Sequence, residues 1–109
     1  MRGESVFRES PRLDTLLVAA RYAPPDRRLT HVRAYERRGA VWTDALFLDR
    51  AALLHQLAAG KRVATALLRT LPGDFRVLHR VRREPGEGRG WIVAGEGRGG
   101  QDDLGLPLF

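Results

Sequence analysis

At 109 residues with no cysteine, the chain can bury one small core, roughly 60 to 65% of its unfolded surface, and disulfides and thiolate metal sites are excluded. The longest apolar run, Leu16 to Ala20, is too short to cross a membrane and lacks a signal-peptide layout, so a soluble, cytoplasmic protein is expected. The net charge of +6 is uneven: residues 27 to 83 hold thirteen Arg or Lys against four acids, and residues 84 to 109 hold two against five. A basic body suited to phosphate therefore carries an acidic tail, although a solvated Arg-rich surface has the same composition.

Residues 1 to 12 mix charges with Ser10 and Pro11 and read as an arm. Leu13 to Tyr22 is apolar and predicts a buried strand, with a short helix as the other reading of such a run. Two prolines in Ala23-Pro24-Pro25-Asp26 end it in a turn. Leu29 to Arg37 alternates as a half-exposed second strand, and Arg38-Gly39 reverses the chain into a third, Ala40 to Leu48. Asp49 stands where its carboxylate can cap a helix beginning near Arg50. Leu53, Leu54, Leu57 and Ala58 share one face of that helix, and Gly60, followed by Lys61 and Arg62, closes it.

Lys61 to Leu68 reads as a fourth strand with Val63, Thr65 and Leu67 on one side, and Leu71-Pro72-Gly73-Asp74 as a turn. Phe75 to Val81 is a fifth. Strict alternation puts Phe75, Val77, His79 and Val81 on one face and Arg76, Leu78, Arg80 and Arg82 on the other. From Glu84 onward the composition shifts. GEGRG at Gly86–Gly90 recurs at Gly95–Gly99, and eight of the twelve glycines lie beyond Arg83. Residues 84 to 109 are therefore expected to be a flexible linker and acidic tail, with Trp91 to Ala94 as an edge strand or a partner-binding insert.

The order over residues 13 to 83 is β-β-β-α-β-β, mainly β with one helix. It resembles the oligonucleotide-binding (OB) fold, a five-stranded, partly open barrel with its helix between strands three and four. That resemblance implies a surface for single strands or oligosaccharides on the second and third strands and in the loops joining one to two and four to five. A two-residue turn at Arg38-Gly39 sets Tyr35 opposite Trp42 and Arg33 opposite Asp44, with His31 and Arg37 on the same face. Val32, Ala34, Val41, Ala45 and Phe47 then pack under the helix. The outward rings and guanidinium groups form a platform on which bases stack at about 1 to 3 kcal/mol each. A three-residue turn with a bulge at Gly39 instead puts Trp42 in the core, and the sequence leaves both arrangements open. The candidate loops contribute Arg27 and Arg28 on one side and Arg69 on the other. Arg76, Arg80 and Arg82 form either a phosphate track or a solvated strand face.

The end of the chain, Asp102-Asp103-Leu104 through Pro107-Leu108-Phe109, is similar to the acidic, Phe-terminated tip of bacterial single-stranded-DNA-binding proteins, which a glycine-rich linker joins to an OB domain. It departs from that tip where Gly105 and Leu106 interrupt the cluster and where Leu108 separates Pro107 from Phe109. The resemblance implies that Asp102, Asp103, Leu106, Pro107 and Phe109 recruit a protein partner.

His31, His55 and His79 are too widely spaced to form a metal set, and no nucleotide-binding loop, nucleophile elbow or dinucleotide pattern occurs. No catalytic residue, metal or cofactor is expected. The sequence reads as a small, non-specific binder of single-stranded DNA or RNA that recruits partners through its tail and can self-associate along an open sheet edge. The alternative is a protein-interaction module whose Arg-rich surface meets an acidic protein and whose Trp91 segment adds an edge strand.

Overall fold

Four strand segments, β1 (Thr15–Ala23), β2 (Arg28–Arg38), β3 (Val41–Trp42) and β4 (Leu46–Asp49), lead into a helix, α1 (Arg50–Ala58). Three more, β5 (Val63–Leu68), β6 (Phe75–Glu84) and β7 (Trp91–Ala94), follow it. These elements come from a computed structural model that describes residues 13–69, 74–86, 90–96 and 100–109. Because β3 and β4 succeed one another along the same edge of β2, the seven segments fill six sheet positions. The order is β3/β4, β2, β1, β5, β6, β7, and every pairing is antiparallel except β1 with β5. Two meanders thus meet at a parallel seam, and α1 supplies the crossover that a parallel pair requires. The sheet curls around the helix as a partly open, OB-like half-barrel, with β7 added beyond the five strands expected.

Local signals set α1. Asp49 caps it, accepting from the Ala52 amide at 2.8 Å, and at the other end the amides of Ala59 and Gly60 donate to His55 and Leu57 carbonyls. Leu53 and Leu54 are buried as expected, but the third buried side chain is Gln56, while Ala58 is exposed. Gln56 is buried because it is bonded at both ends of its amide. Its oxygen accepts from the Thr15 hydroxyl at 2.8 Å, and its nitrogen donates to the Glu36 carboxylate at 2.9 Å.

Successive strand residues point to opposite faces, and both faces carry a core. Leu17, Val32, Val63 and Ile92 pack with Leu53 on the helix side. Leu16, Ala64 and Phe75 form a smaller cluster on the outer side, flanked by Tyr35 and Trp42.

Two bulges redirect side chains that strict alternation assigns elsewhere. Between Arg37↔Trp42 and Ala34↔Leu46, β2 advances three residues while its partner advances four. The extra residue lies among residues 43 to 45, where Thr43 accepts the Glu36 amide on its hydroxyl and donates its own amide to the Glu36 carbonyl. Leu46 and Leu48 therefore pack toward the helix in place of Ala45 and Phe47, and Phe47 is 58% exposed on the outer face. Val41, at the hairpin tip beyond the reach of α1, is also exposed. In β6, Ala66↔Val77 is followed by Ala64↔Arg80, an extra residue at Leu78–His79. Arg80 thereby shares a face with Val77, Val81 turns to the helix side, and the basic face expected of Arg76, Arg80 and Arg82 is split.

The last ten residues close the structure instead of trailing from it. Gly90 makes the β6–β7 turn with φ 84°, and a Cβ there would collide with the Glu84 carbonyl, so this glycine serves geometry and not flexibility. Residues 102 and 103 run beside β7, with Asp103 donating to the Ile92 carbonyl and accepting from the Ala94 amide. Residues 107 to 109 run beside the free half of β1: the Ala20 amide donates to Pro107 and the Phe109 amide to Ala20. Leu104 and Leu106, at 2% and 8% exposure, enter the helix-side core between these two contacts. We refer to residues 100–109 as the strap.

Candidate nucleic-acid interface

The β2–β3 turn is Gly39-Ala40, because Arg38 pairs with Val41. Arg37, not Tyr35, consequently stands opposite Trp42. The slip relative to expectation is two residues, so parity is kept and Trp42 stays on the face away from α1. Its indole is half-buried, meeting Phe75 edge-on at 5.9 Å, while Tyr35 tilts onto the same ring at 4.9 Å. Arg37 lies over the indole at 5.8 Å from its centroid. Arg33, Tyr35, Arg37 and Trp42 are therefore brought together on one surface.

That surface also contains residues the sequence did not assign to it. Phe47, opposite Arg33 in the sheet, stacks at 5.6 Å and 35° on Phe109 from the strap. The Arg33 guanidinium lies 5.7 Å from the Phe47 centroid and 5.4 Å from that of Phe109, and the Arg21 guanidinium lies 4.7 Å from the Phe109 centroid. Arg21 Nε also donates to the Phe109 carbonyl oxygen at 2.9 Å. A guanidinium facing an aromatic ring within about 6 Å is attracted to it, by about 0.5 to 1 kcal/mol at exposed sites. Each exposed ring on this face is thus held beside a cation. The signal that could have exposed Phe47 is Asp44, a residue of poor strand preference in the middle of an apolar run, which marks where alternation breaks. Arg21 was masked by the apolar run before it.

The remaining expected cations are dispersed. Arg28 covers the Trp91 ring at 4.6 Å and lies 3.5 Å from Asp26, and Arg27 covers Tyr22 at 4.6 Å. Arg69 lies 3.8 Å from Asp74 in the β5–β6 connection. Arg82 donates to Glu84 at 3.0 Å and to the Gly95 carbonyl at 2.8 Å, which commits its guanidinium to its own sheet. Arg76 and Arg80 are exposed on opposite faces.

The residues expected to recruit a partner are engaged within the chain. Asp102 is fully buried. One carboxylate oxygen accepts from the Leu29 amide at 2.6 Å and Arg50 Nε at 2.9 Å; the other accepts from the Ile92 amide at 2.8 Å and Arg50 Nη2 at 3.1 Å. Burial alone would raise this carboxyl, but the Arg50 guanidinium and the two amides prevail and hold it below the ordinary aspartate range. Burial likewise raises Tyr22, whose hydroxyl accepts the Leu104 amide. Asp103 and Pro107 bond to strand backbones, Leu106 is in the core, and Phe109 is on the aromatic face. The Trp91 to Ala94 segment, expected as an edge strand or a partner-binding insert, is β7, and its far edge is taken by residues 102 and 103.

Among the described residues no cluster of His, Asp or Glu could hold a metal ion, and no helix is long and apolar enough to cross a membrane. Comparison with protein-family models, with curated proteins and with solved structures gives no match.

Proposed function

We propose that the outer face of β1, β2 and β4 binds single-stranded DNA or RNA without sequence preference. The observation that supports this most is the exposed Phe47 ring set against Phe109, with Arg33 and Arg21 over the rings and Arg37 and Trp42 further along the same face. Every base has a π-face, so a ring platform accepts any of them, and adjacent arginines neutralise the backbone that connects them. Side chains on one face of a strand recur every 6.6 Å or so, which carries Arg33, Tyr35 and Arg37 along β2 in the direction an extended strand would follow.

Titration of a labelled oligothymidylate, followed by fluorescence anisotropy, tests this. Contacts from Arg21, Arg33 and Arg37 to three phosphates would give a slope of about −2 in log affinity against log salt, or roughly twentyfold weaker binding at about 200 mM than at about 50 mM. Phe47→Ala is expected to weaken binding by about 1 to 3 kcal/mol. It should leave the melting temperature nearly unchanged, because an exposed ring contributes little to folding. Binding that ignores both salt and Phe47 would refute the reading.

A further inference from the structure

A surface helix ordinarily carries charged side chains on the face turned away from its core. α1 departs from this. Ala51 to Gly60 reads AALLHQLAAG, without a charged residue, and Arg50 before it turns its guanidinium to Asp102 and the Gly90 carbonyl. The exposed residues Ala51, His55 and Ala58 fall at i, i+4 and i+7, so they form one stripe along the helix.

That stripe is one wall of a cavity of about 760 Å³ between α1 and β6, on the opposite side of the sheet from the aromatic platform. Its floor is aliphatic: Leu54 and Val81, at 8% and 6% exposure, with Leu57 half-buried beside them. Its rim is basic. Lys61, just past the helix, and Arg83, two residues beyond Val81 on β6, both border it, and no carboxylate does. Arg82 is also at the rim, with its guanidinium given to Glu84 and the Gly95 carbonyl. No Phe, Tyr or Trp ring lines the cavity, so a nucleic-acid base would have no ring to stack on. Aliphatic floor, uncharged small-residue wall and cationic rim together suit a ligand that is apolar on one side and acidic at its margins.

We propose that the groove between α1 and β6 docks an acidic amphipathic helix of a protein partner. Apolar side chains of that helix lie over Leu54, Leu57 and Val81, the alanines of α1 let its backbone approach closely, and its carboxylates meet Lys61 and Arg83. The stripe from Ala51 to Ala58 spans two turns, about 10 Å, which is the reach of anchors set at i, i+3, i+4 and i+7 on a bound helix. The site is separate from the platform, so a strand and a protein can be held on opposite sides of one sheet.

Fluorescence anisotropy of a labelled synthetic helix of glutamate and leucine, with the leucines at helical spacing, tests this beside a control peptide that has lysine in place of glutamate. Wild-type protein should bind the first and not the second. Ala51→Glu puts a carboxylate in the first turn of α1, where the helix dipole favours it, so this variant should melt at or above the wild-type temperature while binding the acidic peptide roughly 5- to 30-fold more weakly. Lys61→Ala, at an exposed position, should weaken binding by up to roughly fivefold. Phe47→Ala should bind the peptide as wild-type does, and oligothymidylate should not displace it. Failure of wild-type to bind, equal binding of the lysine control, or wild-type affinity in both groove variants overturns the proposal. Displacement by oligothymidylate, or loss of peptide binding in Phe47→Ala, also overturns it by placing the peptide on the platform.

Discussion

Replacing Asp102 with asparagine should destabilise the fold by about 3 to 5 kcal/mol, because removal of one partner leaves a buried opposite charge uncompensated. The partner, Arg50, has a side chain only 13% exposed, and Asp102 is at 0%. An amide keeps the shape but presents an NH₂ group where two backbone amides and a guanidinium now converge on carboxylate oxygens. Domains of this size have about 5 to 15 kcal/mol in total. Urea unfolding at neutral pH should therefore show a midpoint sharply reduced, and melting should fall by roughly 15 °C or more. Swapping both partners for apolar residues would remove the stranded charge but not the stranded Leu29 and Ile92 amides, so it should recover only part of the loss.

The same carboxylate predicts an acid limit. Its folded value lies below the ordinary one, so the stability it contributes is fully present above the unfolded aspartate range, near pH 4. That contribution is lost as pH falls through the lowered folded value. The wild-type unfolding free energy should decline on acidification below about pH 4, and the asparagine variant should be flatter over that window.

Phe75→Ala should cost a similar amount, about 3 to 5 kcal/mol, by emptying the centre of the outer cluster. The ring is 1% exposed and is touched by Tyr35 at 4.9 Å and Trp42 at 5.9 Å. Its loss removes the surface on which both platform aromatics rest. Beyond lower stability, a red shift in tryptophan emission is expected as the Trp42 indole gains water. Phe75→Leu should cost less, about 1.5 kcal/mol at most, since it nearly conserves apolar volume. The contrast with Phe47→Ala separates the two roles of aromatic residues on one face: the buried ring supports the sheet, and the exposed ring supports binding.

What could be read from the sequence was what neighbours in the chain decide. Asp49 and Gly60 bracket the helix because caps act within a turn, and the strands on either side of the Pro24-Pro25 turn follow from apolar runs and a local break. The one-residue bulges at residues 43 to 45 and at Leu78–His79 were not legible, although each moves a functional side chain across the sheet. A single extra residue inverts alternation, and only cross-strand register reveals it. The strap was hidden for a different reason. It ends a stretch, residues 84 to 109, whose many glycines give it the composition of a linker, but Asp102 bonds to Leu29, 73 residues away, and to Arg50, 52 residues away. No window along the chain contains that information. The aromatic face is half legible: one of the two arrangements the sequence leaves open puts Tyr35, Trp42, Arg33 and Arg37 on it, but that arrangement sends Phe47 to the core, and the tail reading sends Phe109 to a free tip.

The most direct test of the account is an amide chemical-shift titration of the isotope-labelled protein with a short oligothymidylate at low salt. The account predicts perturbations concentrated on the outer face, at Arg21, Arg33, Arg37, Phe47 and Phe109, fading as salt is added. Perturbations confined to the cavity that Leu54, His55, Lys61 and Val81 line between α1 and β6, or none at saturating oligonucleotide, would contradict it.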